Sequence, residues 1–180
     1  MILYHATPLL KGKKILKDKR IKKNIERYHQ DSKIVQGTTN GYVYLTQNMC
    51  LAYYYAAIQF DYLQGNNSYI CIFKIEVDEK YLEPDYDELK IVTGLDDSKM
   101  YSYQESLDKC DCVRLENDIL LKGMKYMILP STMNSIEPAE QVAIVREMSR
   151  KKRSRKEERL DIENKALQYW KWQQIDWLWE

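Results

Sequence analysis

Tyr69 to Val77 (YICIFKIEV) constrains this chain more than any other stretch. It opens apolar on successive positions and then alternates. A strand sends successive side chains to opposite faces. A run that is apolar on both faces therefore reads as a largely buried strand near a sheet centre. The rest of the chain supplies shorter partners. Met1 to His5 fits a strand, broken at Thr7-Pro8 because proline lacks a donor and disfavours a helical residue before it. Tyr42 to Thr46 is short and β-rich, and so are Met124 to Leu129 and Gln141 to Val145. Gly37 to Gly41 is a turn cluster. Asn48 is a helix N-cap for Met49 to Leu63, and Gln64 to Ser68 closes that helix. A second helix is expected around 98–109, and residues 9–33 read as a loop with a short helix. Strands, a helix, then more strands predict an α+β fold.

With 180 residues, the chain makes one domain, or one domain plus a tail. The composition changes to charged helix formers near 148, so the expected division is 1–148 and a helical C-terminal extension, 149–180. No stretch approaches the roughly 20 apolar residues of a membrane helix. The first residues do not have the form of a secretory leader. The expectation is a cytoplasmic protein, not bound to a membrane, with Cys50, Cys71, Cys110 and Cys112 as reduced thiols. Cys110 and Cys112 form a C-x-C with no histidine nearby in sequence, so no metal is expected.

The formal net charge of +1 conceals a pattern. Residues 11–33 carry ten Lys and Arg against three acids, and residues 74–118 carry fourteen acids against six bases. From Arg146 to Lys165 there are nine bases against five acids, including RKKRSRK at 150–156. Such runs are ordinarily solvated faces; the functional alternative is a surface for nucleic acid or an acidic partner. All 4 Trp lie in the last eleven residues. Trp170 and Trp172 point about 200° apart on a helix, so they cannot share one groove. The 160–180 helix packs back on the domain, or docks a partner or a second copy.

Few chemical groups recur in a pattern. His5 stands at a strand end. Tyr42 and Tyr44 share one strand face, and Tyr53, Tyr54 and Tyr55 follow on the helix. Leu82 to Glu88 is a loop with four carboxylates. Glu137 and Glu140 precede the expected last strand. Each has a plain reading: a hydrogen-bonded histidine, packed tyrosines and solvated acids. Phosphate loops, dinucleotide fingerprints, zinc-protease helices and serine elbows are absent from the sequence. With only His5 and His29, a nucleophile–base pair has little support. What remains is chemistry that uses a hydrogen-bonding His, an aromatic platform and a carboxylate.

The order YHAT, GYVYLTQNMCLAYYYA, a strand and YLEPDYDEL resembles the ADP-ribosyltransferase superfamily of His-Tyr-acid type. It is locally most similar to the small bacterial rifampicin ADP-ribosyltransferases, with a general pattern shared by DNA- and RNA-modifying relatives and RNA 2′-phosphotransferases. The resemblance covers roughly residues 2–88. A weaker echo, at 136–147, is IEPAEQVAIVRE.

It implies split mixed or antiparallel sheets with flanking helices. It also implies NAD as a substrate, cleaved at the nicotinamide–ribose bond. His5 would bond the adenine-side ribose, supported by Thr7, and Ala6 stands where the family has glycine. Tyr44 would stack on nicotinamide, with Tyr42 second and Tyr53 in the same pocket. The acid would be Asp85 or Glu140, with Glu137 behind them. The acceptor stays open between protein, DNA, RNA and a small molecule, and a toxin or phage–host conflict role is one expectation. The alternatives are a non-catalytic nucleic-acid or protein-binding module and an RNA 2′-phosphotransferase-like enzyme.

Overall fold

The computed structural model describes residues 1–24, 38–59, 68–94 and 100–175. His29, the 60–63 end of the expected helix, Trp177 and Trp179 lie outside them. The strands are β1 (Ile2–Pro8), β2 (Arg20–Ile21), β3 (Val43–Thr46), β4 (Tyr69–Glu76), β5 (Glu83–Pro84), β6 (Cys112–Leu115), β7 (Ile119–Leu120), β8 (Lys125–Pro130) and β9 (Gln173–Gln174). The helices are α1 (Leu9–Asp18), α2 (Met49–Ile58), α3 (Tyr86–Thr93), α4 (Tyr103–Cys110), α5 (Ala139–Arg150) and α6 (Lys156–Tyr169). The fold is α+β. A seven-stranded sheet runs β5-β6-β3-β1-β4-β8-β9, with β2 and β7 forming a small separate pair. The pairings are antiparallel.

YICIFKIEV is buried on both sides because both sheet faces are covered. Cys71, Phe73 and Ile75 join Leu3, Val43 and Leu45 in one core, against which Leu9, Ile15 and Leu16 of α1 pack. Ile70 and Ile72 join Met127 and Leu129 in the other, with Met49 and Tyr53 of α2, Val145 of α5 and Ile162 of α6. Alternation along one strand thus feeds two cores. Gly12 sets the close approach of α1: a Cβ there would lie 2.5 Å from Cys71 Cβ. Only a residue without a side chain lets the helix sit so near the sheet.

The sheet is nearly divided. Seven register pairs join β1 to β4, from Ile2↔Glu76 to Pro8↔Ile70. A single pair, Tyr4↔Thr46, joins β1 to β3 among the described residues. Beyond it the two strands diverge, leaving β5-β6-β3 on one side of a seam and β1-β4-β8-β9 on the other.

Three expectations need correction. Gln141 to Val145 is not a strand but part of α5; Val142, Val145 and Met148 are buried at a helical spacing of three. The period of burial overrides the β-branched composition. β1 does not stop at His5 but runs on to end at Pro8, which pairs with Ile70 and caps the start of α1, where a missing N–H costs little. The residues after 148 are not one long helix. Residues 151–155 break α5 from α6, and the chain then turns to lay β9 beside β8. There Trp172 stacks on Tyr4, with centroids 6.0 Å apart. Among the described residues no helix is long and apolar enough to cross a membrane. All four cysteines are buried and unpaired by disulfides.

Candidate active site

A cavity of about 830 Å³ opens at the seam. The diverged strands line it with Tyr4, His5, Ala6 and Thr7 from β1 and with Tyr44 and Thr46 from β3. Tyr42, just before β3, joins them. Where the ladder stops, main-chain groups need new partners. His5 supplies one: its Nδ1 lies 3.1 Å from the Tyr44 carbonyl oxygen. A carbonyl only accepts, so the neutral ring carries its proton on Nδ1 and keeps Nε2 as an acceptor. Burial pushes the His5 pKa below its ordinary value, and the bond to Tyr44 offsets part of that. The ring packs on Phe73, its neighbour on β4, with centroids 6.5 Å apart.

Tyr44 points its ring away from that bond. Its hydroxyl lies 2.9 Å from the Thr39 carbonyl and donates to Asp87. Thr39 holds the same carboxylate twice, through its N–H at 2.7 Å and its hydroxyl at 2.8 Å. Desolvation first, then the Asp87 bond and charge, raise the Tyr44 pKa well above the tyrosine range. The phenol therefore stays protonated and keeps donating.

Asp85 also lines the cavity, but it is buried and caps α3, accepting from the Glu88 N–H at 3.0 Å. Its own N–H donates to Ser106 at 3.0 Å. Burial pushes its pKa up to about 8, against the lowering effect of the cap bond. One turn on, Glu88 is buried beneath Tyr55 and takes hydrogen bonds from the Tyr55 hydroxyl and the Arg153 guanidinium. Arg153 belongs to the RKKRSRK run. Lys152 of that run covers the Tyr54 ring at 3.9 Å, and its carbonyl accepts from Asn48 at 2.7 Å. At least part of this basic run is therefore spent inside the fold.

The structure brings His5, Ala6, Thr7, Tyr42, Tyr44 and Asp85 to one cavity. Tyr53 is not among them; it faces the sheet, fully buried, and donates to the Pro130 carbonyl at 2.9 Å. Two helical steps turn the side chain by about 200°, so Tyr55 lines the cavity instead. Glu140 is outside it, in the first turn of α5, paired with the Tyr169 hydroxyl at 2.5 Å. Glu137 is also outside, accepting from Tyr69 at 2.7 Å. Asp87 and Glu88 of the acid-rich stretch and Tyr55 of the tyrosine run line the cavity although the sequence assigns them no role there, and Arg114 lies outside both patterns. The Arg114 guanidinium lies over the Tyr42 ring at 3.9 Å and 5.4 Å from the Tyr86 centroid. Only its place opposite Tyr44 on β6 explains this, and no local spacing reveals it.

The lining is also cationic: Lys11 and Lys14 of α1, Arg20, Lys22 and Lys23 belong to it. Comparison of the chain with family models, curated proteins and solved structures gives no match.

Proposed function

We propose that the chain is a mono-ADP-ribosyltransferase-like enzyme that cleaves NAD at the nicotinamide–ribose bond. The observation that carries the reading is the convergence of His5, Thr7, Tyr44 and two aspartates on one seam cavity. Its volume falls in the usual range of about 300–1,000 Å³ for ligand sites. The seven strands form one sheet, and the single pair Tyr4↔Thr46 is where the split that the resemblance implies would fall.

The roles are those the resemblance implies, set on this geometry. His5 Nε2 accepts from a ribose hydroxyl. The Tyr44 ring packs against nicotinamide, and Tyr42 carries the adjoining surface. The C1′–N bond breaks, its electron pair leaves with nicotinamide, and the pyridinium charge is neutralised. Positive charge then grows on the ribose, and the Asp87 carboxylate faces it. The acceptor's lone pair closes the new bond to C1′, and its proton passes to a carboxylate. Asp87 takes this part better than Asp85. The Asp87 carboxylate is oriented by Thr39 and bonded to the stacking tyrosine, while Asp85 is a neutral-leaning cap. The test is nicotinamide release from NAD by purified protein. His5→Ala and Tyr44→Ala should each abolish it; release surviving both changes refutes the assignment.

One observation favours a second reading. Five cationic side chains share the cavity with His5, as a phosphate-bearing substrate requires. An RNA 2′-phosphotransferase-like reaction would use NAD as the acceptor of an RNA phosphate. A 2′-phosphorylated oligoribonucleotide incubated with NAD separates the two. Loss of its phosphate supports the second reading; gain of ADP-ribose supports the first.

A further inference from the structure

The cavity walls carry opposite charge, and they come from different elements. Asp85, Asp87 and Glu88 stand together on α3 and its cap. Asp85 is drawn towards its neutral form, and Glu88 is paired with Arg153. The wall from α1 to Lys23 contributes Lys11, Lys14, Arg20, Lys22 and Lys23. Lys14, Arg20, Lys22 and Lys23 are exposed. Asp18 is the acid on that wall, and it holds Lys22 at 2.7 Å; Arg20 lies 3.8 Å from Asp118. Both are surface ion pairs, which a phosphate displaces at little cost.

NAD carries two phosphate charges, so five cations exceed what it needs. We infer that this wall carries the backbone of a single-stranded nucleic acid, which is the ADP-ribose acceptor. The step rests on the NAD reading above. Two features choose this occupant. A seam cavity of about 830 Å³ cannot admit a duplex, whereas an unpaired strand can splay a base into it. Tyr44 is taken by nicotinamide in that reading, but Tyr42 lies in the same cavity as the cations, and a base stacks on an aromatic ring beside a basic track. An acidic peptide would use the lysines but not Tyr42. In the transfer, a lone pair on a base nitrogen or terminal phosphate oxygen bonds to C1′. Nicotinamide leaves with the C1′–N pair, and any acceptor proton goes to Asp87.

The experiment separates this inference from its premise. Binding of fluorescent single-stranded DNA and RNA 12-mers is measured without NAD across a salt series. Contact with three to five phosphates gives a log–log slope of about −2 to −3.5. K11E/K14E/K23E should cut affinity at least tenfold and flatten the slope, with its melting temperature checked against wild type. If that variant misfolds, K11Q/K14Q/K23Q and the wild-type slope still decide. A slope shallower than about −1, equal binding of duplex, or equal competition by polyglutamate overturns the strand track. Labelled NAD is then added. Label on the oligonucleotide supports the acceptor; nicotinamide release without such label overturns it and leaves NAD cleavage standing. Strand binding without nicotinamide release overturns the enzyme reading, and with it the acceptor.

Discussion

The Nδ1 of His5 and the main-chain oxygen of Tyr44 stand 3.1 Å apart, across the point where β1 and β3 stop pairing. The imidazole thus closes a gap in the ladder and fixes its own tautomer with one bond. His5→Ala opens the seam and removes the Nε2 acceptor. NAD cleavage should fall by about 100-fold or more, since a misplacement near 1 Å costs that much. Unfolding free energy should fall by about 1–3 kcal/mol, because the Tyr44 carbonyl loses its partner. His5→Gln should recover part of the stability and little of the turnover. Urea unfolding and nicotinamide release read the two effects separately.

Asp87 and Asp85 are two residues apart and differ in what they touch. Asp87→Asn leaves the Tyr44 hydroxyl and Thr39 facing a neutral amide. Cleavage should drop about 10²–10³-fold, the cost of losing one preorganised electrostatic group. Asp85→Asn keeps the helix cap, since asparagine caps as well as aspartate, and should cost less than tenfold. The reverse order of the two kcat effects would move the acid role to Asp85.

Arg153 reaches Glu88 from 65 positions away. Glu88 is buried, so Arg153→Ala strands a carboxylate beneath the cavity. The expected loss is about 3 kcal/mol, the low end for a broken buried pair because Arg153 is partly exposed. Glu88→Gln in the Arg153→Ala background should recover some of it by removing the charge. A double-mutant cycle in urea measures the coupling; a coupling near zero would show the pair to be incidental.

Gly12→Ala places a methyl 2.5 Å from Cys71 Cβ. Neither backbone has a flexible end to move, so α1 must shift away from β4. The expected cost is about 1–3 kcal/mol, typical of overpacking. Because α1 carries Lys11 and Lys14, oligonucleotide affinity should weaken in the same variant. A melting curve unchanged from wild type would show that the helix relaxes freely.

How much was legible follows from the range of each signal. YICIFKIEV, the Asn48 cap and Tyr44 of β3 are local patterns, and each lies where the sequence predicts. His5 and Tyr44 share a cavity as expected, but His5 stands inside β1 and not at its end, because the strand runs on to Pro8. Glu140 failed for a local reason: β-branched residues after it hid a helical period. Tyr53 and Tyr55 exchanged places because only the facing sheet decides which side of α2 is inward. Asp87, Arg114 and Arg153 depend on contacts 43, 72 and 65 positions distant, with Tyr44, Tyr42 and Glu88. No periodicity reports such pairs.

Asp85 also makes the stability of the fold depend on pH. Its folded pKa, about 8, lies above the ordinary carboxyl value of 3.8. Between those values the folded state holds a proton that the unfolded chain has released. Stability must then fall as pH rises through this window and level off above about 8. Asp85→Asn removes the proton and keeps the cap, so its stability should not share that decline. His5 acts in the opposite sense: its lowered pKa adds stability that is lost as pH falls below its ordinary value near 6.5. The two effects overlap in wild type, but His5 is common to both proteins and cancels in their difference. Urea unfolding of wild type and Asp85→Asn at intervals from pH 5 to pH 9 gives that difference directly. Asp85→Asn should gain on wild type steadily up to about pH 8 and no further. A difference that is flat across the range would mean that Asp85 keeps its charge in the folded protein, and would restore it beside Asp87 as a carboxylate available to the reaction.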